Sequence, residues 1–171
     1  MNLDNLMAIL PLAALILWAV LVLLVDLWIP KGRKSITAIL TAAGLALSLG
    51  LTLAQNGRTI SAFGGMVVVD GFGTLLNVIF LASGLAAVAL AYDYLKRMGL
   101  ERGEYYALLL FSISGMLLMA YASDLIIVFL ALELLSIPLY VLAGFARPRT
   151  DSEESSLKYF LLGAFASGFV L

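Results

Sequence analysis

Five long apolar runs limit what this chain can fold into. Four of them hold no charged residue and are 21, 23, 22 and 19 residues long. They cover residues 5–25, 35–57, 71–92 and 105–123. A fifth run of 22 residues, 125–146, is interrupted only by Glu133. Because a helix needs about 20 mostly apolar residues to cross a bilayer, the pattern predicts five complete transmembrane helices joined by short loops.

A sixth apolar run begins at Tyr159 and still continues at Leu171, after 13 residues. This length is too short to cross a bilayer, so we expect the chain to be the N-terminal part of a longer membrane protein. The composition agrees, since 63% of the 171 residues are hydrophobic and 12% are charged. The predicted fold class is all-α: a polytopic transmembrane helix bundle with five complete helices and the start of a sixth.

The missing residue types exclude several functions. The chain has no Cys and no His, which excludes a disulfide framework, a thiol nucleophile, a Ser-His-Asp triad and a conventional zinc site. Its 10 basic and 11 acidic residues give a net charge of -1, so no basic field is available to bind nucleic acid. We expect the lipid bilayer as a partner, no nucleic acid, and no cofactor bound by this chain.

Basic residues are distributed unequally between the loops on the two sides. Only Arg58 lies in a loop on one side, whereas eight lie in the loops after the first, third and fifth runs. These eight are Lys31, Arg33, Lys34, Lys96, Arg97, Arg102, Arg147 and Arg149. The positive-inside rule therefore predicts cytoplasmic positions for these loops and an N-terminus outside. The first run has no preceding Lys or Arg and is too long for a signal peptide, so we expect it to remain uncleaved.

Local sequence signals predict where helices begin and end. Pro30 follows the first run and is expected to stop its helix. Asp124 is placed to cap the fifth helix, and Asp151 with Glu154 three residues later has the pattern of a capping box for the sixth. The segment 56–65 is polar and contains Gly, so we expect an extracytoplasmic loop there.

Asp26 lies near the end of the first run, about one helical turn before Pro30. At that depth it can reach water or pair with Lys31 or Lys34. We therefore expect a structural role for Asp26.

Glu133 lies much deeper. It follows Asp124 by nine residues and precedes Arg147 by fourteen, which places it ~13 Å from one end of the span and ~21 Å from the other. An acidic residue there costs about 2 to 3 kcal/mol on insertion scales and should face the bundle with a partner. Ser136 lies on the same helix face, and Pro138 leaves a backbone carbonyl without its helix bond.

Two interpretations of Glu133 follow: a carboxylate that carries protons, or a protonated structural carboxyl satisfied by hydroxyls and backbone groups. Lys158 is the obvious cation within the chain. If the sixth helix begins near Ser152, Lys158 lies roughly 9 Å from the cytoplasmic end. It is either a functional partner of Glu133 or a lysine that extends its stem to the membrane interface.

The segment 105–171 resembles the antiporter-like membrane subunits of respiratory complex I, the NADH-quinone oxidoreductase. The order of its motifs carries the resemblance: SDL at the start of the fifth helix, LELLSIPLYVL around Glu133, a short charged loop, and then LKYFLLGAF. The N-terminal sequence ILPLAALILWAVLVLLVDLWIP is consistent with the same family.

The resemblance implies a fold of fourteen transmembrane helices with inverted repeats that begin at the fourth helix. Residues 1–104 would then form the first three helices, and residues 105–171 the start of the antiporter-like proton-channel repeat. Glu133 matches the fifth-helix Glu of the family, which works with a seventh-helix lysine that has no counterpart here. Lys158 matches a lysine at the start of the sixth helix.

The implied function is proton translocation coupled to electron transfer from NADH to quinone, by one subunit of a large complex in the bacterial inner (plasma) membrane. Other membrane subunits would be its partners. NADH, FMN, iron-sulfur clusters and quinone would bind to other subunits, so this chain would carry no redox chemistry. Two alternatives remain open: a cation/proton antiporter subunit of related fold, and a non-transporting membrane scaffold in which Glu133 is structural.

Overall fold

Helices dominate the computed structural model, which describes residues 3–30 and 33–170. The helices are α1 (Leu3–Asp26), α2 (Ser35–Ala54), α3 (Gly71–Met98), α4 (Glu104–Tyr121), α5 (Leu125–Ala143) and α6 (Thr150–Ser167). The first five are each long and apolar enough to cross a membrane. The prediction of five complete spans and the start of a sixth helix is therefore confirmed.

Contacts between helix ends show that consecutive helices run in opposite directions. The start of α2 reaches the end of α1, where Lys34 contacts Asp26. Likewise Ser152 in α6 donates a hydrogen bond of 2.7 Å to the carbonyl of Ala143 at the end of α5. We call this side of the bundle the basic end, because it carries the loops around residues 33–34, 96–102 and 147–149. Arg58 lies at the opposite end.

A small β-hairpin covers that opposite end, which we call the hairpin end. Strand β1 (Ile60–Ala62) pairs antiparallel with β2 (Val67–Val69), and a 3-10 turn over Phe63–Gly65 joins them. The β-branched side chains of these strands favour extended backbone, and their buried faces pack against Ala8 and Tyr121. The all-α prediction omitted this sheet: the segment 56–65, predicted as a loop between two helices, contains β1 and the 3-10 turn.

The apolar core lies between α1, α2, α3 and α4. Its largest buried side chains are at most 2% exposed: Leu15, Leu45, Leu81, Leu110, Ile113 and Leu117. A stripe of buried hydroxyls runs along α2, formed by Thr37, Thr41, Ser48 and Thr52. Each hydroxyl donates a hydrogen bond within the protein, so these four groups are satisfied without water.

Trp18 fixes α1 against α2. Its indole Nε1 donates a hydrogen bond of 2.8 Å to the carbonyl of Leu40. The ring lies directly over Gly44, where a β-carbon would overlap the indole. A close approach at a glycine is thus combined with a directional bond, which sets the register of the two helices.

The predicted helix ends have mixed outcomes. Asp124 caps α5 as predicted, since its carboxylate accepts a hydrogen bond of 2.8 Å from the Ile126 amide. The capping box at α6 is wrong: the helix begins at Thr150, its N-cap is Arg149, and no side chain caps it. Glu154 pairs with Lys158 instead, because residues four apart lie one turn apart on the helix surface.

Candidate functional site

Glu133 occupies the middle of α5. It lies eight residues after Leu125 and ten before Ala143, the first and last residues of that helix, or about 12 and 15 Å along the axis. Its side chain is half-buried. Pro138 does not divide the helix, which is continuous over its full length, so Glu133 remains far from both ends of the span.

Glu133 faces away from α4. The α4-facing side of α5 is marked by Ala131, which is fully buried, and by Leu135, whose backbone lies against Gly115. At about 100° per residue, Glu133 points to the opposite side of the helix, where Tyr140 also lies. Tyr140 packs against aromatic rings of α6. The carboxylate is therefore on the side of α5 that faces α6.

The carboxylate of Glu133 has no hydrogen bond or salt bridge to any other residue that the structure describes. Ser136, which the sequence places on the same face, also makes no hydrogen bond to it. The buried Asp26 and the buried hydroxyls of α2, in contrast, are hydrogen-bonded to backbone or side-chain atoms. The carboxylate of Glu133 is therefore left available to a proton or to a further polar group.

Lys158 lies in the third turn of α6 and forms an ion pair with Glu154. Its side chain is 69% exposed. Two hydrogen bonds set the register of α6 on α5: Ser152 donates to the carbonyl of Ala143 and Ser156 to that of Tyr140, both at 2.7 Å.

This register gives Lys158 and Glu133 different heights. Glu133 is level with Gly163, about five residues and so ~7 Å deeper than Lys158. Around α6, Lys158 lies about 150° from the face formed by Ser156 and Gly163, which contacts α5. The structure thus brings the two residues onto adjacent helices but pairs Lys158 with Glu154.

The sequence predicts that Asp26 reaches water or pairs with Lys31 or Lys34, and the structure shows the pair with Lys34. Its carboxylate pairs with Lys34 at 2.6 Å, which confirms one of the two predicted partners. Lys31, the other, lies outside the described residues. The residue is 7% exposed, so Asp26 is buried against this partner. Thr37, which donates a hydrogen bond of 2.7 Å to the carboxylate, was missed because no local pattern signals a contact across eleven residues.

Possible metal ligands do not cluster in residues 3–30 and 33–170: no group of three or more Asp, Glu, His or Cys side chains is close enough to hold an ion. The polar groups at the site are thus the Glu133 carboxylate and the Lys158–Glu154 pair. Chemically, these groups can bind and release protons.

Comparison with protein families gives a match over the second part of the chain. The family model described as "NADH:quinone oxidoreductase/Mrp antiporter, TM" matches residues 122–171. This region includes α5, α6, Glu133 and Lys158.

Curated relatives match nearly the whole chain. It is 48% identical over 160 residues to NADH-quinone oxidoreductase subunit N of Chloroflexus aggregans, covering 93% of this chain and 33% of that protein. It is 46% identical over 154 residues to NADH-quinone oxidoreductase subunit N 2 of Roseiflexus castenholzii, covering 90% and 31%. The chain therefore spans about a third of the length of these relatives.

A solved structure shares the fold. A chain of respiratory complex I from Thermus thermophilus, determined with bound aureothin, superposes with a TM-score of 0.77 at 35% sequence identity. The match covers 93% of this chain and 34% of that one.

Proposed function

Because this chain belongs to the antiporter-like membrane subunits of NADH-quinone oxidoreductase, we propose that it is part of a subunit that translocates protons. In this role the subunit moves protons across the membrane while electrons pass from NADH to quinone elsewhere in the complex. The chain has no Cys or His with which to ligate an iron-sulfur cluster, so the redox chemistry is proposed to occur in other subunits.

The observation that carries this proposal is the environment of Glu133. Its carboxylate is half-buried in the middle of α5 and has no polar partner among the described residues. A carboxylate in lipid is costly when charged, and a nearby cation reverses that preference. Glu133 is therefore proposed as the residue that carries the proton within the membrane.

Lys158 is proposed as the second proton-carrying residue. It lies closer to the basic end than Glu133 and is held by Glu154 through an exposed ion pair, which is a weak interaction. When a lysine moves from one carboxylate to another, the proton affinities of the lysine and of both carboxylates change. Movement of Lys158 from Glu154 toward α5 would couple it to Glu133.

The partners proposed for this chain are other membrane subunits of the complex and the lipid bilayer. The faces of α5 and α6 that point away from the α1–α4 core carry exposed apolar side chains, which suits contact with lipid or with neighbouring helices. NADH, FMN, the iron-sulfur clusters and quinone are assigned to other subunits. The proposed location is the inner (plasma) membrane of a bacterium.

The proposed orientation places the N-terminus outside and the basic end in the cytoplasm, by the positive-inside rule. The chain has no native Cys, so cysteines introduced into the full-length protein within this region are simple to interpret. Arg33→Cys and Asn56→Cys both lie at exposed positions, one at each end of α2. Impermeant reagents added outside should label residue 56 and spare residue 33. Labelling of residue 33 alone would show that the chain has the opposite orientation.

The function is tested with Glu133→Gln in the full-length subunit of the assembled complex. This change keeps the size of the side chain but replaces the carboxyl, which can bind and release a proton, with an amide, which cannot. Pumping and coupled quinone reduction should therefore be lost. Glu133→Asp keeps a carboxylate and should retain much of the activity. Glu104→Gln, an exposed carboxylate at the start of α4, is the matched control. Full pumping by Glu133→Gln would make Glu133 a structural carboxyl and the chain a scaffold.

A cation/proton antiporter subunit is the second candidate, because the matching family model covers antiporters as well as the oxidoreductase. The two functions differ in their driving force. In membrane vesicles, proton movement that requires NADH and quinone favours the oxidoreductase. Proton movement driven by a sodium gradient without NADH favours the antiporter.

A further inference from the structure

A buried polar cluster joins α1, α2 and α4 at the basic end, and the proposed proton path does not use it. Lys34 Nζ lies 2.6 Å from Asp26 Oδ2 and donates a second bond of 3.2 Å to the Asp26 carbonyl. Thr37 donates to the other carboxylate oxygen at 2.7 Å. The side chains of Asp26 and Lys34 are 8% and 11% exposed, so the pair is almost entirely withdrawn from solvent.

Each charge of the pair lies at a helix end that stabilises it. The position of Asp26 along the chain alone would suggest that its charge is disfavoured. Asp26 is in the last turn of α1, an end that carries partial negative charge. In the folded chain its carboxylate is instead beside the first turn of α2, where Thr37 lies, and beside Gly103 at the start of α4. The Lys34 ammonium meets the carbonyl end of α1. The tertiary arrangement therefore stabilises both charges.

Gly103 brings α4 directly onto this pair. Gly103 is the N-cap residue of α4, and a β-carbon at this position would overlap the carboxylate of Asp26. The height at which α4 begins is thus set by a contact with a charged group that two other helices hold in place.

The position of α4 constrains that of α5 through a backbone contact. Midway along α4, a β-carbon on Gly115 would overlap the backbone of Leu135, so the two helix backbones are in direct contact. Leu135 lies two residues after Glu133. We therefore expect a shift of α4 toward or along α5 to displace the backbone that carries Glu133.

We propose that Asp26 and Lys34 are a positioning pair that sets the height of α4 and, through α4 and α5, holds Glu133 in place. The proposal rests on the proposed role of Glu133 in proton transfer. Apolar side chains alone fix helix register weakly in a membrane, because lipid is as apolar as they are. A buried ion pair helps to fix the relative height of the helices, since a shift that breaks the pair leaves an uncompensated buried charge.

The test compares Asp26→Asn, Lys34→Met and the double variant in the full-length subunit of the assembled complex. The matched control is Asp93→Asn, which breaks an exposed ion pair with Arg97 at the same end. Two readouts are recorded. One is the distance between spin labels on cysteines at Arg33 and Glu104, both exposed positions outside the cluster. The other is the number of protons pumped per quinone reduced, which reduced subunit abundance does not change.

Asp26→Asn should change or broaden the label distance by about 1.5 Å or more, the rise of one helical residue, and should lower the protons pumped per quinone. The double variant removes both buried charges and should recover most of both readouts. An unchanged distance in Asp26→Asn would overturn the proposal. So would a double variant that is no better than the single or does not assemble while Asp93→Asn does.

The outcome for Glu133 is separate. If Glu133→Gln pumps normally but Asp26→Asn still moves the labels, the proposed function fails and the helix-positioning role of the pair stands. If Glu133→Gln abolishes pumping and Asp26→Asn leaves the labels and the pumping ratio unchanged, only the positioning proposal fails.

Discussion

The bundle of α1–α4 and the pair α5–α6 differ in how many residues are buried and in whether their polar side chains have hydrogen-bond partners. Nine residues of α4 are buried, against three of α5 and none in the described length of α6. In the bundle, the α2 hydroxyls and Asp26 all have hydrogen-bond partners. In the pair, Glu133 has none among the described residues and Lys158 has an exposed one. Satisfied polar groups specify how helices pack, whereas the proposed role of Glu133 in proton transfer requires a carboxylate without a fixed partner.

The largest expected effect tests the pair α5–α6. In the full-length subunit, Glu133→Gln should abolish pumping, Lys158→Ala should weaken it, and Lys158→Arg should be milder because it keeps the charge. The double change Glu133→Gln with Lys158→Ala should cost clearly less than the sum of the singles, since interacting groups are not additive. Pumping and quinone reductase rates measure this, after the subunit level is checked.

Glu154→Gln is the control for that series, because it removes the partner that Lys158 has in this structure. We expect a small effect. Strictly additive losses from Glu133 and Lys158 would mean that Lys158 is an interfacial lysine and not a partner of Glu133.

A second prediction concerns the border between the two regions. Gly115→Ala should destabilise the protein by about 1 to 3 kcal/mol, the usual range for overpacking, because its β-carbon would overlap the Leu135 backbone, which cannot shift as cheaply as a flexible side chain. Gly50→Ala is the matched control on α2, where a β-carbon meets nothing within 4 Å. Thermal unfolding of the purified subunit in detergent measures both. Equal midpoints would contradict the close contact of α4 with α5.

A third prediction tests packing within the bundle of α1–α4 alone. Trp18→Phe removes the indole hydrogen bond to Leu40 and should cost about 0.5 to 1.5 kcal/mol, the net value of such a bond. Trp28→Phe should have little effect on stability, since Trp28 is 79% exposed. If both substitutions lower the unfolding midpoint equally, the Trp18 contact does not fix α1 on α2.

The smallest effect is expected at the exposed ion pair of Asp93 and Arg97. Their side chains are 60% and 77% exposed, and pairs of this kind contribute about 0.2 to 1 kcal/mol. Asp93→Asn should therefore lower the unfolding midpoint only slightly, and added salt should remove the difference. A loss as large as that of Asp26→Asn would show that burial is not what distinguishes the two pairs.

Local features of the sequence were enough to predict much of this architecture. The five spans follow from the length of the apolar runs, and the central position of Glu133 follows from its distance along one helix. The Asp124 cap was also predictable, because a cap depends on bonds within a few residues. The hairpin was missed because its strands are only three residues long and depend on packing against Ala8 and Tyr121.

The sequence by itself determined where helices cross the membrane and which charge lies inside it, because both depend on distances along the chain. Only the tertiary structure decided the partners. It withdrew Asp26 from solvent between Lys34 and Thr37, placed Gly103 against it, and paired Lys158 with Glu154 while Glu133 lay on a face toward α6. The physical reason is that helix rotation and height are set by packing between helices, which no short-range pattern encodes.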